Sequence, residues 1–194
     1  MVRNREFDPQ AALGQVVQLF TERGYRRTSM EDIVQATGVS RYGLYGTFGN
    51  KRELFAQALE RYADDMGRQA FLRLLEPDAG LADIRRIFEE RVLDACEGHG
   101  PRGCLLCQTA IEVAPHDDGL QEVLLRFLKR MAKTFAVGLE NAQARGETRA
   151  GLDPKAGGDY LTGALFGLIM MQRAGFPRAS LNAFVDGTMA AVAA

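Results

Sequence analysis

Apolar residues recur along this chain at three- and four-residue intervals, the spacing that lines one face of an α-helix. Leu13, Val16, Val17 and Phe20 form the first such stripe. It is entered through Asp8-Pro9, a cap followed by proline at a position where the missing N–H costs nothing, and Gly24 stops it. Met30, Ile33 and Val34 predict a short second helix opening at Thr28 or Ser29 and ending at Gly38. Ser40 is placed to cap a third, "RYGLYGTF", which stops at Gly49-Asn50. Leu54, Phe55, Ala58, Leu59, Tyr62 and Met66 predict a long fourth helix continuing toward Leu74 before Pro77.

The same period fills the rest of the chain. Leu81, Ile84, Ile87, Phe88, Val92 and Ala95 make one stripe, and "GHGPRG" breaks it. "CLLCQTAIEVA" then reads as a short helix ended by Pro115. Leu120, Val123, Leu124, Phe127, Leu128, Met131, Phe135 and Leu139 give the longest register, closed by Gly146. Asp153-Pro154 repeats the cap-then-proline start for a helix running to Gly175, and Ser180 is expected to cap the last, with Leu181, Phe184, Val185, Met189 and Val192 inward. Strand-type alternation and tandem repeats are absent, so the pattern predicts an all-α fold of about nine helices.

Composition narrows the class. At 194 residues and 46% hydrophobic, the chain can bury a sizeable core. The apolar run "LTGALFGLIMM" is too short to span a bilayer, and no apolar stretch follows the basic residues of "MVRNREFDPQ". A soluble cytoplasmic protein with no membrane partner is therefore expected. The net charge of −1 hides an asymmetry: residues 1–52 carry eight Lys/Arg against five Asp/Glu, about +3, leaving about −4 for the remainder. A basic head of that kind suits a polyanion.

The two short helices joined by "TGVS" at 37–40 make a helix-turn-helix signature. Gly38 suits the tight turn, Val39 the junction, and Ser40 the next cap. The second helix of such a motif lies in the major groove with its N-terminal residues toward base edges. Spacing alone leaves an ordinary helical hairpin equally open. The flanks go further: "TSMEDIVQATGVSRYGLYGTFGNKRELF" at 28–55 closely resembles the TetR/AcrR family of transcriptional regulators, and "REFDPQAAL" with the downstream "ERGY" resembles that family's first helix.

The resemblance implies a DNA-binding domain over 1–52 and a ligand-binding and dimerisation domain over 53–194. It also implies a homodimer on a double-stranded DNA operator, in most cases as a repressor released by a small-molecule inducer. Tyr45 and Lys51 match the family's phosphate-contacting tyrosine and lysine. Thr28 and Ser29, at the start of the second helix, offer hydroxyls and N-terminal amides to a phosphate. Ser40, Arg41, Tyr42 and Gly43 occupy the leading turn of the reading helix, where Arg41 could take a guanine. Gly43 and Gly46 together predict a helix that is soft without DNA, each glycine costing about 0.5–1 kcal/mol. No glycine-rich phosphate loop or nucleophile elbow occurs, and only two histidines. An enzyme, a cofactor and a catalytic site are not expected.

In the second half, Gly163 and Gly167 have the small-xxx-small spacing that lets helices approach closely. With Phe184 they are candidates for the dimer interface, an intrachain contact being the alternative. Phe88, Val92, Phe127, Met131, Phe166 and Met170 are candidates to line an effector pocket, though at helical spacing each is core by default. Glu112, amid apolar residues, either orients a ligand or faces solvent. Cys104 and Cys107 lie three residues apart in "GPRGCLLCQTAIEVAP", with Cys96 and His99 upstream. These four could hold zinc, although their spacing is shorter than in the usual zinc modules. Alternatively Cys104, at a helix N-terminus with Arg102 nearby, is a reactive thiol and Cys107 its resolving partner. Buried packing is the third reading. "RGCLL" resembles a segment of a TetR subgroup, some of whose members respond to electrophiles or oxidants through cysteine. A thiol-reactive inducer and, as the competing function, a cytosolic metal- or redox-responsive binding protein using Cys96, His99, Cys104 and Cys107 both follow.

Overall fold

The computed structural model describes residues 7–96 and 104–194. Among them run nine α-helices: α1 (Pro9–Arg23), α2 (Met30–Thr37), α3 (Arg41–Phe48), α4 (Lys51–Met66), α5 (Leu81–Cys96), α6 (Leu105–Glu112), α7 (Asp118–Ala144), α8 (Pro154–Arg173) and α9 (Arg178–Ala190). No strand forms among the described residues; Thr148 and Ala193 make one isolated antiparallel bridge. The fold is all-α, as the periodicity predicts.

Helix starts follow local chemistry. The Asp8 carboxylate accepts from Gln10 N–H at 2.8 Å and the Asp153 carboxylate from Lys155 N–H at 3.0 Å, each with proline in the first turn. Gly38 ends α2 in the left-handed region at φ 67°, where a side chain would be strained. Two expectations change. The α-helical part of α4 stops at Met66, and the chain continues as a π turn over Gly67–Phe71 and a 3₁₀ turn over Leu72–Leu75. Ser180 does not cap α9: the helix already begins at Arg178, because Pro177, at φ −66°, sets the turn and accepts the Ser180 N–H at 2.9 Å.

The chain packs as two units, residues 7–64 with 104–124 and residues 65–96 with 125–194. A boundary at 52/53 falls inside α4, which belongs to the first unit as far as Asp64. In that unit Phe20 and Phe55 meet edge to face at 4.9 Å, Tyr25 joins Phe55 at 4.7 Å, and α6 lies against α1. In the second unit Phe135 meets Phe71 at 5.2 Å and Phe88 at 6.2 Å. Here α8 approaches α7 closely at Gly158, where a Cβ would lie 2.2 Å from the Ala132 carbonyl oxygen.

Candidate nucleic-acid interface and thiol site

The helix-turn-helix is held by short-range polar contacts. Ser29 caps α2 in a reciprocal box: its Oγ accepts from Asp32 N–H at 3.1 Å, and the Asp32 carboxylate accepts from Ser29 N–H at 2.7 Å. The Ser29 hydroxyl, donating to the Asp32 carboxylate at 2.6 Å, and the Ser29 N–H, with Arg23 at 3.0 Å, hold the Asp32 carboxyl below its ordinary range. Thr28 departs from expectation. Its side chain is 1% exposed and its hydroxyl donates to the Gly24 carbonyl at 2.7 Å, so that hydroxyl ties the turn together and Ser29 alone is exposed at the helix start. Val39 is buried in the junction, and Ser40 caps α3 by accepting from Gly43 N–H at 3.1 Å.

Outward from α3 stand Arg41, Tyr42 at 75% exposure and Tyr45 at 43%. Arg41 pairs with Glu31 of α2 at 2.8 Å and lies 6.0 Å from the Tyr45 ring centroid. Gly43 does not share this face. A Cβ there would sit 3.1 Å from Val39 Cγ1 and 3.4 Å from Phe7 Cε1, so the position points inward and its small size serves packing, whereas Gly46 is open. Lys51 begins α4 with Nζ 4.3 Å from the Tyr25 ring centroid. Burial lowers its pKa, opposed by the Asp32 carboxylate. Next to it Arg52 makes a bidentate pair with Asp117 at 2.5 and 2.7 Å. Arg52, Tyr25 and Asp117 were not among the sequence candidates, since the Arg52–Asp117 pair joins positions 65 residues apart and the Tyr25 ring, in the turn after α1, meets Lys51 and Phe55 of α4.

Cys104 occupies the N-cap of α6, and it and Cys107 are buried free thiols. The Cys104 pKa is lowered: its sulfur accepts from the Cys107 thiol, the Cys107 and Leu106 amides and the Tyr62 hydroxyl, which outweigh burial. One turn on, Gln108 is buried. Its Nε2 donates to the Thr21 carbonyl at 2.9 Å, while Oε1 has no partner. The Cys96 side chain, His99 and Arg102 lie outside the described residues.

Glu112 is half-buried at the end of α6. Its carboxylate lies against Gly24, where a Cβ would come within 2.7 Å, and accepts from Arg26 N–H at 3.5 Å. That packing is within the first unit. Phe88, Val92, Phe127 and Met131 are buried in the second unit, with Phe166 and Met170 half-buried. A cleft of about 340 Å³ between α5 and α9 is lined by Arg85, Val92, Leu93, Arg178, Asn182 and Val185, so only Val92 is shared with the expected lining. Gly163 faces open space, while a Cβ at Gly167 would lie 3.5 Å from Phe184 Cζ.

Comparison with known proteins agrees along the chain. The family described as bacterial regulatory proteins, tetR family, matches residues 15–58, and the tetracyclin repressor-like C-terminal domain matches residues 80–186. The chain is 35% identical over 147 residues to the uncharacterized HTH-type transcriptional regulator YezE of Bacillus subtilis (strain 168), covering 76% of each. It is 27% identical over 170 residues to the HTH-type transcriptional repressor DhaR of Mycobacterium sp. (strain GP1), covering 87% of this chain and 83% of that one. Among solved structures, a cysteine-substituted CifR complexed with 26-bp double-strand operator DNA superposes with a TM-score of 0.84 at 26% identity, covering 98% of this chain and 99% of that one.

Proposed function

Because the chain belongs to the tetR family of bacterial regulatory proteins and is a DNA-binding transcriptional regulator rather than an enzyme, we propose that it is a repressor whose operator is released by a thiol-reactive inducer. Two copies, joined through α8 and α9, present two α3 helices to a palindromic site. Arg41 reads a base edge once freed from Glu31, and Tyr45, Lys51 and Ser29 take phosphates. Tyr42 stands exposed beside them.

The observation that carries the trigger is Cys104, held toward thiolate inside the same packing unit as α1, α2 and α3. With an α,β-unsaturated carbonyl, the thiolate electron pair forms a bond to the β-carbon and the α-carbon takes a proton from water. With a hydroperoxide, the O–O bond breaks to leave an alkoxide and a Cys104 sulfenic acid, from which the Cys107 thiol displaces water to form a disulfide. Either product enlarges or reshapes a buried site, and such overpacking typically costs about 1–3 kcal/mol. Relief comes by moving α6, which grips the end of α1 through Gln108 and Glu112. A coupling of that size changes operator affinity by about 5- to 150-fold.

The test is anisotropy of labelled DNA from upstream of the chain's own gene, with and without N-ethylmaleimide. The wild type should release the DNA on alkylation and Cys104→Ser should hold it. Equal release by both would leave Cys104 a packing residue.

A further inference from the structure

We propose that Tyr25 is a positioning residue for DNA binding, its ring holding the Lys51 ammonium at the start of α4 ready for a phosphate. The inference rests on the reading of Lys51 as a phosphate contact. Lys51 Nζ lies 4.3 Å from the Tyr25 ring centroid, well inside the ~6 Å over which a ring face attracts a cation. The ring is itself fixed. It meets Phe55 at 4.7 Å and Phe20 at 6.2 Å, and those two buried rings meet each other at 4.9 Å. The Tyr25 hydroxyl sits in the field of Asp117 and Arg52, whose pair ties the start of α7 to the first turn of α4. One ring thus joins the turn after α1 to two other elements of its unit.

The nature of the partner matters. Arg41 and Arg52 hold carboxylates, Glu31 and Asp117, which neutralise them. Among the described residues Lys51 makes no direct ion pair: the Asp32 carboxylate acts on it only at a distance and is itself held by Ser29 and Arg23, so the contact of Lys51 is a π face, which restrains the ammonium yet leaves its charge for a phosphate. A free lysine loses many rotamers when it grips a ligand, and one lying along a ring has already lost much of that freedom.

The experiment is a salt titration of binding to a labelled mixed-sequence duplex, starting at low salt, where phosphate contacts dominate. Lys51→Met removes one phosphate contact from each protomer and should reduce the salt slope of the bound dimer by about 1.8. Tyr25→Leu should weaken binding about 3- to 10-fold in the native background and not at all in the Lys51→Met background, while Tyr25→Phe, which keeps the ring, stays within about twofold of wild type. A wild-type chain that is not retained at low salt, or an unchanged slope in Lys51→Met, overturns the phosphate reading and the proposal with it. A reduced slope in Lys51→Met together with an equal Tyr25→Leu loss in both backgrounds overturns the positioning role alone. Should Tyr25→Leu not fold, the Lys51 ε-methylene proton resonances of the wild type decide. An upfield ring shift that persists in the DNA complex supports the proposal, and one that disappears on binding overturns it.

Discussion

Replacing Gly158 by alanine should destabilise the protein, although alanine is the better helix former by about 0.8–1 kcal/mol. A Cβ at Gly158 falls 2.2 Å from the Ala132 carbonyl oxygen and 3.1 Å from the Ala136 nitrogen, both backbone atoms of α7. Backbone cannot swing aside like a side-chain tip, so α7 and α8 must separate and give up contacts along their crossing. Overpacking of this kind reaches about 3 kcal/mol, and subtracting the propensity gain leaves a net loss of about 2 kcal/mol. For a chain of this size that lowers Tm by about 4–8 °C. Gly46→Ala, in the middle of α3 and away from α8 and α9, is the control: no atom lies within 4 Å of its Cβ, so propensity alone should raise Tm slightly. Both are read by thermal unfolding at fixed protein concentration, since self-association makes Tm concentration-dependent. Gly158→Ala melting at or above the wild type would refute the reasoning.

Three further outcomes follow from the geometry. Cys107→Ala removes the largest contribution to the lowered Cys104 pKa, so the midpoint of its thiolate absorbance against pH should move up; an unmoved midpoint would count against thiol pairing. Arg52 and the Leu120 amide bring the Asp117 carboxyl down to about 2, below its unfolded value of about 3.9, so the stability it contributes is present above that value and is lost as the pH falls toward about 2. Asp117→Asn should flatten that part of a urea-unfolding series against pH, and an identical profile would contradict the pairing. Glu31→Gln frees Arg41 and removes a carboxylate from the side proposed to face DNA, and should strengthen binding to mixed-sequence duplex several-fold in a low-salt titration; weaker binding would place Arg41 elsewhere.

What was legible in the sequence is what local chemistry decides. Asp8-Pro9, Asp153-Pro154 and Gly38 declare their turns within three or four residues, and the structure keeps each of them. Thr28 and Ser29 are adjacent hydroxyls, and only the packing of the turn at Gly24 decides which is buried and which caps. Gly43 looks like a residue of the reading face until Phe7, distant in sequence, is seen behind it. Glu112, Cys104 and Cys107 sit on a helix whose stripe says that it is buried but not beside what. Their placement with the N-terminal helices depends on contacts such as Gln108 with Thr21, 87 residues apart. The close approach at Gly158 is equally invisible, because it depends on where another helix puts its carbonyl.

The central claim is that the exposed face of α3, flanked by Tyr45 and Lys51, grips operator DNA as one of a symmetric pair. The most direct measurement is a footprint and salt titration on DNA from upstream of the chain's own gene. Two protected half-sites are expected about one helical turn, or a multiple of it, apart, with affinity falling steeply as salt rises. A single unpaired footprint, or no retention of that DNA even at low salt, would contradict the claim.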